Sequence, residues 1–134
     1  MKNNKAEFPA SLQSLHQMVQ WVRKQAEHHA FSKRELFHIE LATEEAIVNI
    51  IHHGYRKKEG KIQIAVVSNG VFAIEIQDEA PAFNPLTNKG LKNSSRIGGI
   101  GIPLLHQCMD EVSYQRIEPY NLLTLKKKLC AQTT

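Results

Sequence analysis

The sequence predicts an α+β protein, a two-layer sandwich with helices packed on one face of a mixed, mostly antiparallel sheet. Three observations predict it. Two helical periodicities fill the chain up to Gly54. Two β-rich runs, Lys61 to Val67 and Val71 to Gln77, then flank an Asn69-Gly70 turn. A second pair of strand-like runs closes the chain.

The elements follow in order. After a short entry with Pro9, Ser11 is a candidate N-cap, and Leu12, Leu15, Met18, Val19 and Val22 recur at three- and four-residue steps. That spacing predicts an amphipathic helix to about His29. Ser32 with Glu35 three positions on forms a capping box for a second helix. Its predicted buried stripe is Leu36, Ile39, Thr43, Ala46 (or Ile47) and Ile50, with Gly54 as its stop signal. The period then changes from helical to alternating, and two such runs around Asn-Gly are a strong hairpin signal. A long polar segment from Asp78 to Gly99 holds Pro81, Pro85 and Gly90, and loops of that length in a small domain are often functional. Gly101 to Met109 reads as a third helix, and Val112 to Arg116 with Leu122 to Leu129 as a closing strand pair.

The chain has 134 residues, 42% hydrophobic and 22% charged, which fits one globular domain spanning 1–134 with a core at about 12–129. No stretch approaches the ~20 apolar residues that span a bilayer. Met1-Lys2-Asn3-Asn4-Lys5 is followed by no apolar signal core, so a cytoplasmic location is expected, with no membrane partner. Cys108 and Cys130 have no metal-ligand spacing and read as reduced thiols. The formal net charge is +4, compatible with a nucleic acid, a nucleotide or an acidic protein as partner. The charges are scattered, however. The one dense cluster, Lys126-Lys127-Lys128, lacks interleaved aromatics to stack bases, so no direct nucleic-acid contact is expected.

Three segments carry possible chemistry. Glu45, Asn49 and His53 fall at i, i+4 and i+8 of the second helix, on one face beside the apolar stripe. A carboxylate one turn from a carboxamide suits a Mg²⁺ ion and an attacking hydroxyl, because hard cations take oxygen ligands. The same spacing also fits a solvated polar face ending in a histidine. The pairs His28-His29 and His52-His53 are adjacent, and neighbours on a helix do not face one another, so they make no two-histidine metal site. Asp78, at a strand end before Glu79-Ala80-Pro81-Ala82-Phe83, can accept a hydrogen bond from the exocyclic amine of a purine, or merely form a turn. In Ile97-Gly98-Gly99-Ile100-Gly101-Ile102 the glycines precede an apolar helix, so backbone N–H groups can approach a phosphate there. Arg96 adds a charge-assisted contact to that phosphate. A tight turn is the plainer alternative.

Taken in order, Glu45…Asn49…His53-Gly54-Tyr55, Asp78 to Pro85 and Gly98-Gly99-x-Gly101-Ile102 resemble the GHKL (histidine kinase-like) ATPase superfamily, whose domain is the Bergerat fold. The run Glu-Glu-Ala-Ile-Val-Asn-Ile-Ile-His-His-Gly-Tyr, the short lid and Met109-Asp110-Glu111-Val112 are similar to the anti-sigma factor serine/threonine-protein kinases. The resemblance spans about Leu12 to Leu129. It implies ATP or ADP with Mg²⁺ as cofactors. It implies Glu45 as the catalytic base, Asn49 as the Mg²⁺ ligand, and Asp78 as the residue that reads adenine. It places Ala80 and Ala82 in the first glycine box, and Arg96, Gly98, Gly99, Gly101 and Ile102 beside the phosphates. The implied partners are a sigma factor, an anti-sigma-factor antagonist phosphorylated on serine, and a second copy of the chain in a homodimer. Arg23 and Lys24 on the first helix are the implied partner surface.

The chain departs from that family in three places. Ala80 and Ala82 stand where the first box has glycines, and a methyl group at 80 would crowd the base or exclude a positive φ, so weakened nucleotide binding is expected. Pro119-Tyr120-Asn121-Leu122 replaces a Gly-Thr-Thr run, so no adenine contact is expected there. The lid from Thr87 to Ser95 is short, with Lys89 and Lys92 in reach of phosphates. The alternative to a kinase is a partner-switching protein that binds ATP without catalysis, or binds no nucleotide, and only sequesters its target.

Overall fold

The computed structural model describes residues 2–56, 59–84, 86 and 104–129. It places five antiparallel strands in the order β1-β2-β3-β5-β4: β1 (Lys2–Pro9), β2 (Lys61–Ser68), β3 (Val71–Asp78), β4 (Glu111–Ile117) and β5 (Tyr120–Lys128). Before β2 come α1 (Leu15–Ala26) and α2 (Lys33–Asn49), and residues 104–108 are helical ahead of β4. From α1 onward the predicted helix–helix–hairpin–helix–hairpin order is the observed one, and every strand pairing among the described residues is antiparallel.

β1 was not anticipated. Its Lys, Asn and Glu residues have poor strand preference, and tertiary pairing overrides that. It lies along the free edge of β2 in the register Lys2↔Ser68 to Pro9↔Lys61. Pro9 ends it, where a missing N–H does no harm, and Ala10 N resumes the pairing by donating to Gly60 O at 2.8 Å. The ordered sheet thus begins well before residue 12.

Alternation along each strand sorts the side chains into rows. Asn4, Val66, Ile74, Leu125 and Val112 make one row, and Ala6, Ile64, Ile76, Leu123 and Tyr114 the next. Apart from Asn4 and Ala6 at the β1 edge, these rows meet Met18, Val22, Ile39, Ile47 and Leu105 from the helices in a single core cluster. A third row, Phe8, Ile62, Asp78, Asn121 and Arg116, lies on the same face but turns polar across β3, β5 and β4.

The caps behave as their chemistry requires. Ser11 Oγ accepts from Ser14 N at 3.3 Å, starting a 3₁₀ turn (Leu12–Ser14) that runs into α1. The Ser32 capping box is complete, with Glu35 N donating to Ser32 Oγ at 3.0 Å and Ser32 N to Glu35 Oε1 at 2.8 Å. α1 stops at Ala26, short of the predicted His29, because the sheet captures the histidine. His29 Nε2 lies 3.0 Å from Ser68 Oγ, and its ring meets Phe72 edge-on at 5.5 Å. Arg23 pairs with Glu27 at 2.8 Å and with Glu40 of α2, so it ties the helices together, whereas Lys24 is exposed. In the first hairpin Gly70 takes a φ of 81°, and the Ser68↔Phe72 register leaves it at the tip. At the far end of the sheet, Lys127 Nζ donates to Cys108 O at 2.5 Å, a cation on the last carbonyl of the 104–108 helix. Cys108 is a buried free thiol, and Cys130 lies outside the described residues.

α2 does not simply end at its glycine. After Asn49 the backbone widens into a π-helical turn (Ile50–Gly54), closed by Tyr55 N donating to Ile50 O at 2.8 Å. Arg56, and not Gly54, then takes the positive φ, at 54°. Tyr55 is fastened by its hydroxyl, which donates to Lys61 O at 2.7 Å and accepts from Glu79 N at 2.8 Å. Its ring lies over Gly60, where an added Cβ would sit 2.3 Å from Tyr55 Cε1. Gly60→Ala is expected to destabilise the fold by about 1–3 kcal/mol, the usual overpacking penalty, read as a lower urea midpoint at unchanged m-value.

Candidate functional site

The site is built on α2 and on the loop that leaves β3. Asn49, the last residue of α2, is fully buried at 0% exposure. Neither its Oδ1 nor its Nδ2 has a hydrogen-bond partner among the described residues. One turn earlier, Glu45 is half-buried and its Oε2 is likewise unpartnered. Burial, and secondarily the Glu44 carboxylate, pushes the Glu45 carboxyl above its ordinary range. The pair therefore does not lie on a solvated helix face. A buried polar group without a partner costs free energy, so these three atoms within one turn call for partners from outside the described residues.

His53, across the π turn from Asn49, stacks on Phe83, with ring centroids 6.0 Å apart and planes 22° off parallel. Burial, then the neighbouring His52, lowers its pKa.

Asp78 ends β3 at 4% exposure. Its Oδ1 accepts from Ala80 N and from Asn121 Nδ2, each at 2.9 Å, while Oδ2 accepts from no described residue. Burial raises its pKa against the opposing pull of Asn121, Ala80 and Arg116. The loop beyond Asp78 meets the end of α2 at three points. These are the Phe83–His53 stack, the bond from Glu79 N to the Tyr55 hydroxyl, and the closeness of Ala80 to Gly54. A Cβ added at Gly54 would lie 3.5 Å from the Ala80 methyl, an ordinary contact. Among the described non-glycine residues only Arg56 has a positive φ, so Ala80 needs no glycine backbone. The backbone part of the anticipated conflict at Ala80, a positive φ, does not arise. Ala82 is exposed in the same loop. A cleft of about 430 Å³ opens beside Tyr55, Arg56, Glu79, Pro81 and Phe83, although Glu45, Asn49 and Asp78 do not line it.

Sequence reasoning assigned nothing to Asn121, and the structure makes it a hub at 4% exposure. Its Nδ2 reaches Asp78 Oδ1, Ala80 O and Pro81 O. Its Oδ1 receives Phe83 N, the Tyr114 hydroxyl and Arg116 Nη1. Arg116 also donates to Ala80 O at 2.9 Å. The register Asp78↔Asn121↔Arg116 creates this cluster. The available signal was a single asparagine at the head of a strand pattern. Arg96, Gly98, Gly99, Gly101 and Ile102, the phosphate-side residues, lie outside the described residues, as do Lys89 and Lys92.

The donor set suits Mg²⁺ in one specific way. Among the described residues no group of three His, Cys, Asp or Glu side chains is placed to hold a metal. An unpartnered Asn49 Oδ1 beside a carboxylate fits an ion that takes one or two protein oxygens and fills its octahedron with phosphates and water. No helix among the described residues is long and apolar enough to cross a membrane.

Comparison with known proteins agrees with this arrangement. The sequence profile of the histidine kinase-like ATPase domain matches residues 8–127. The serine/threonine-protein kinase BtrW of Bordetella bronchiseptica is 26% identical, over 78% of this chain and 79% of that protein. The crystal structure of the RsbU and RsbW domains of Rv1364c from Mycobacterium tuberculosis superposes with a TM-score of 0.69 at 14% identity. That likeness of fold covers 96% of this chain, which spans 33% of the larger one. With a profile match across nearly its whole length, the chain belongs to the histidine kinase-like ATPase domain family.

Proposed function

We propose that this chain is an ATP-dependent protein serine kinase that also acts as an anti-sigma factor, with a serine of an anti-sigma-factor antagonist as its phosphoacceptor. The observation that carries the reading is the fully buried Asn49 carboxamide, without a partner among the described residues, one turn after the half-buried Glu45. A relative named as a serine/threonine-protein kinase and a fold shared with RsbW domains support it.

Each residue has a defined task. Asp78 accepts a hydrogen bond from the adenine amine through Oδ2. Asn49 Oδ1 would hold Mg²⁺, which when bound with ATP would offset the charge on the phosphates. Glu45 takes the proton of the attacking serine hydroxyl as its oxygen bonds to the terminal phosphorus and the bond to ADP breaks. A carboxylate held above its ordinary pKa is a better proton acceptor than a solvated one. Arg96 with Gly98, Gly99, Gly101 and Ile102 cradles the phosphates. Little covalent chemistry is asked of the protein, so placement and electrostatics are sufficient.

Incubating the purified chain with Mg-ATP and the candidate antagonist is expected to yield phosphoserine on the antagonist. ATP binding without any transfer would refute the kinase and leave a switch that only sequesters. Glu45→Gln is expected to cut transfer by roughly 10²-fold or more while ATP affinity stays within a few-fold. Asp78→Asn is expected to weaken ATP binding by about 1–3 kcal/mol, the value of a charge-assisted hydrogen bond.

The acidic limb of the transfer rate against pH should lie above the ordinary glutamate value of 4.5, since Glu45 acts only when ionised. Stability has the opposite dependence. The folded state binds the Glu45 and Asp78 protons more tightly than the unfolded chain does. Their contribution is therefore complete below the unfolded pKa and is lost as pH rises through the folded one. Glu45→Gln should accordingly raise the melting midpoint at neutral pH, by on the order of 2 °C. A lower midpoint would contradict the burial assigned to Glu45.

A further inference from the structure

We infer that Asn121 is the positioning residue that aims Asp78 at the nucleobase, so that a β5 side chain sets the preference for a 6-aminopurine. The inference rests on the nucleotide-binding reading above and concerns how that site selects its base.

The orientation of the Asn121 amide is decided by its neighbours. One end faces Asp78 Oδ1 at 2.9 Å and the Ala80 and Pro81 carbonyl oxygens at 3.1 Å each, all acceptors. The other end faces the Tyr114 hydroxyl at 2.5 Å, Arg116 Nη1 at 3.2 Å and Phe83 N at 3.3 Å, all able to donate. Reversing the amide would set oxygen against three acceptors and NH₂ against the Arg116 and Phe83 N–H donors, so only one assignment satisfies the site. Both ends of a buried side chain are used in full, with no capacity left for a base of its own.

The consequence falls on Asp78. Asn121 and Ala80 N occupy Oδ1, fixing the plane of the carboxylate and leaving Oδ2 as its available acceptor. Asn121 and Arg116 also grip the Ala80 carbonyl, so side chains reaching across from β5 and β4 hold the loop. An acceptor fixed in this way matches an exocyclic 6-amino group and opposes a 6-oxo group, because an acceptor facing an acceptor leaves both unpaired. Asn121 touches no part of the nucleotide in this arrangement, and acts through Asp78.

Calorimetric titration with Mg-ATP and Mg-ITP, the inosine analogue with a 6-oxo group, tests this on the whole chain. The wild type is expected to prefer ATP. Asn121→Ala is expected to weaken ATP binding about tenfold and to leave ITP within about twofold, collapsing the preference. Equal loss for both nucleotides would reduce Asn121 to a structural support and overturn the inference, as would a preserved ratio. Should Asn121→Ala fail to fold by circular dichroism, Tyr114→Phe removes one anchor of the amide and opens little space. It is expected to lower ATP affinity about threefold with ITP unchanged, and an unchanged ATP-to-ITP ratio would again overturn the inference. A wild-type chain that binds neither nucleotide overturns the nucleotide reading itself, whereas an ATP-binding wild type whose preference survives the substitution overturns this inference alone.

Discussion

The pairing of β3 with β5 in the register Asp78↔Asn121 is the constraint on which the site depends. An antiparallel ladder slipped by one residue would turn every side chain of β5 to the other face. Leu123 and Leu125 would leave the core, and Asn121 would leave Asp78. The apolar rows that stabilise the sheet are thus the same device that delivers a carboxamide to the Asp78 carboxylate and a guanidinium to the Ala80 carbonyl beside it. Packing and function share one register.

The helical layer makes a complementary compromise. α2 buries Ile39, Ala46 and Ile47, yet carries Glu45 Oε2 and the Asn49 carboxamide into places where they find no partner among the described residues. The π turn after Asn49 takes the chain from that helix to Tyr55, whose hydroxyl locks the turn to both the start of β2 and the loop after Asp78. Among the described residues, unmet side-chain hydrogen-bonding capacity therefore gathers at the end of α2 and not at the far end of the sheet. There even the buried Lys127 ammonium has a carbonyl partner. Such an imbalance is characteristic of a binding site, where local order is set by ligand chemistry more than by stability.

Much of this was legible in the residues because it follows from local chemistry. The Ser32 capping box, the Asn69-Gly70 hairpin and the alternation of Ile62, Ile64 and Val66 each answer to a rule that acts over a few positions. The candidate residues Glu45, Asn49 and Asp78 stood out through their order along the chain. β1 did not, since Lys-Asn-Asn-Lys has no strand preference of its own and is held by the open edge of β2. The end of α1 was set by the capture of His29 on Phe72 and Ser68, which no helical periodicity encodes.

The sequence by itself determined the α+β class, the order of elements, and which residue types would be available for oxygen ligation and base recognition. Periodicity and capping are properties of neighbours along a chain, and a sequence records neighbours directly. Tertiary structure alone decided that Asn49 is buried without a partner among the described residues and that His53 stacks on Phe83. It alone decided that Ala80 fits beside Gly54 without a positive φ, and that Asn121 orients Asp78. Each of these depends on a strand register, a widened helical turn or a contact between distant segments, and such distances are set only when the chain closes on itself.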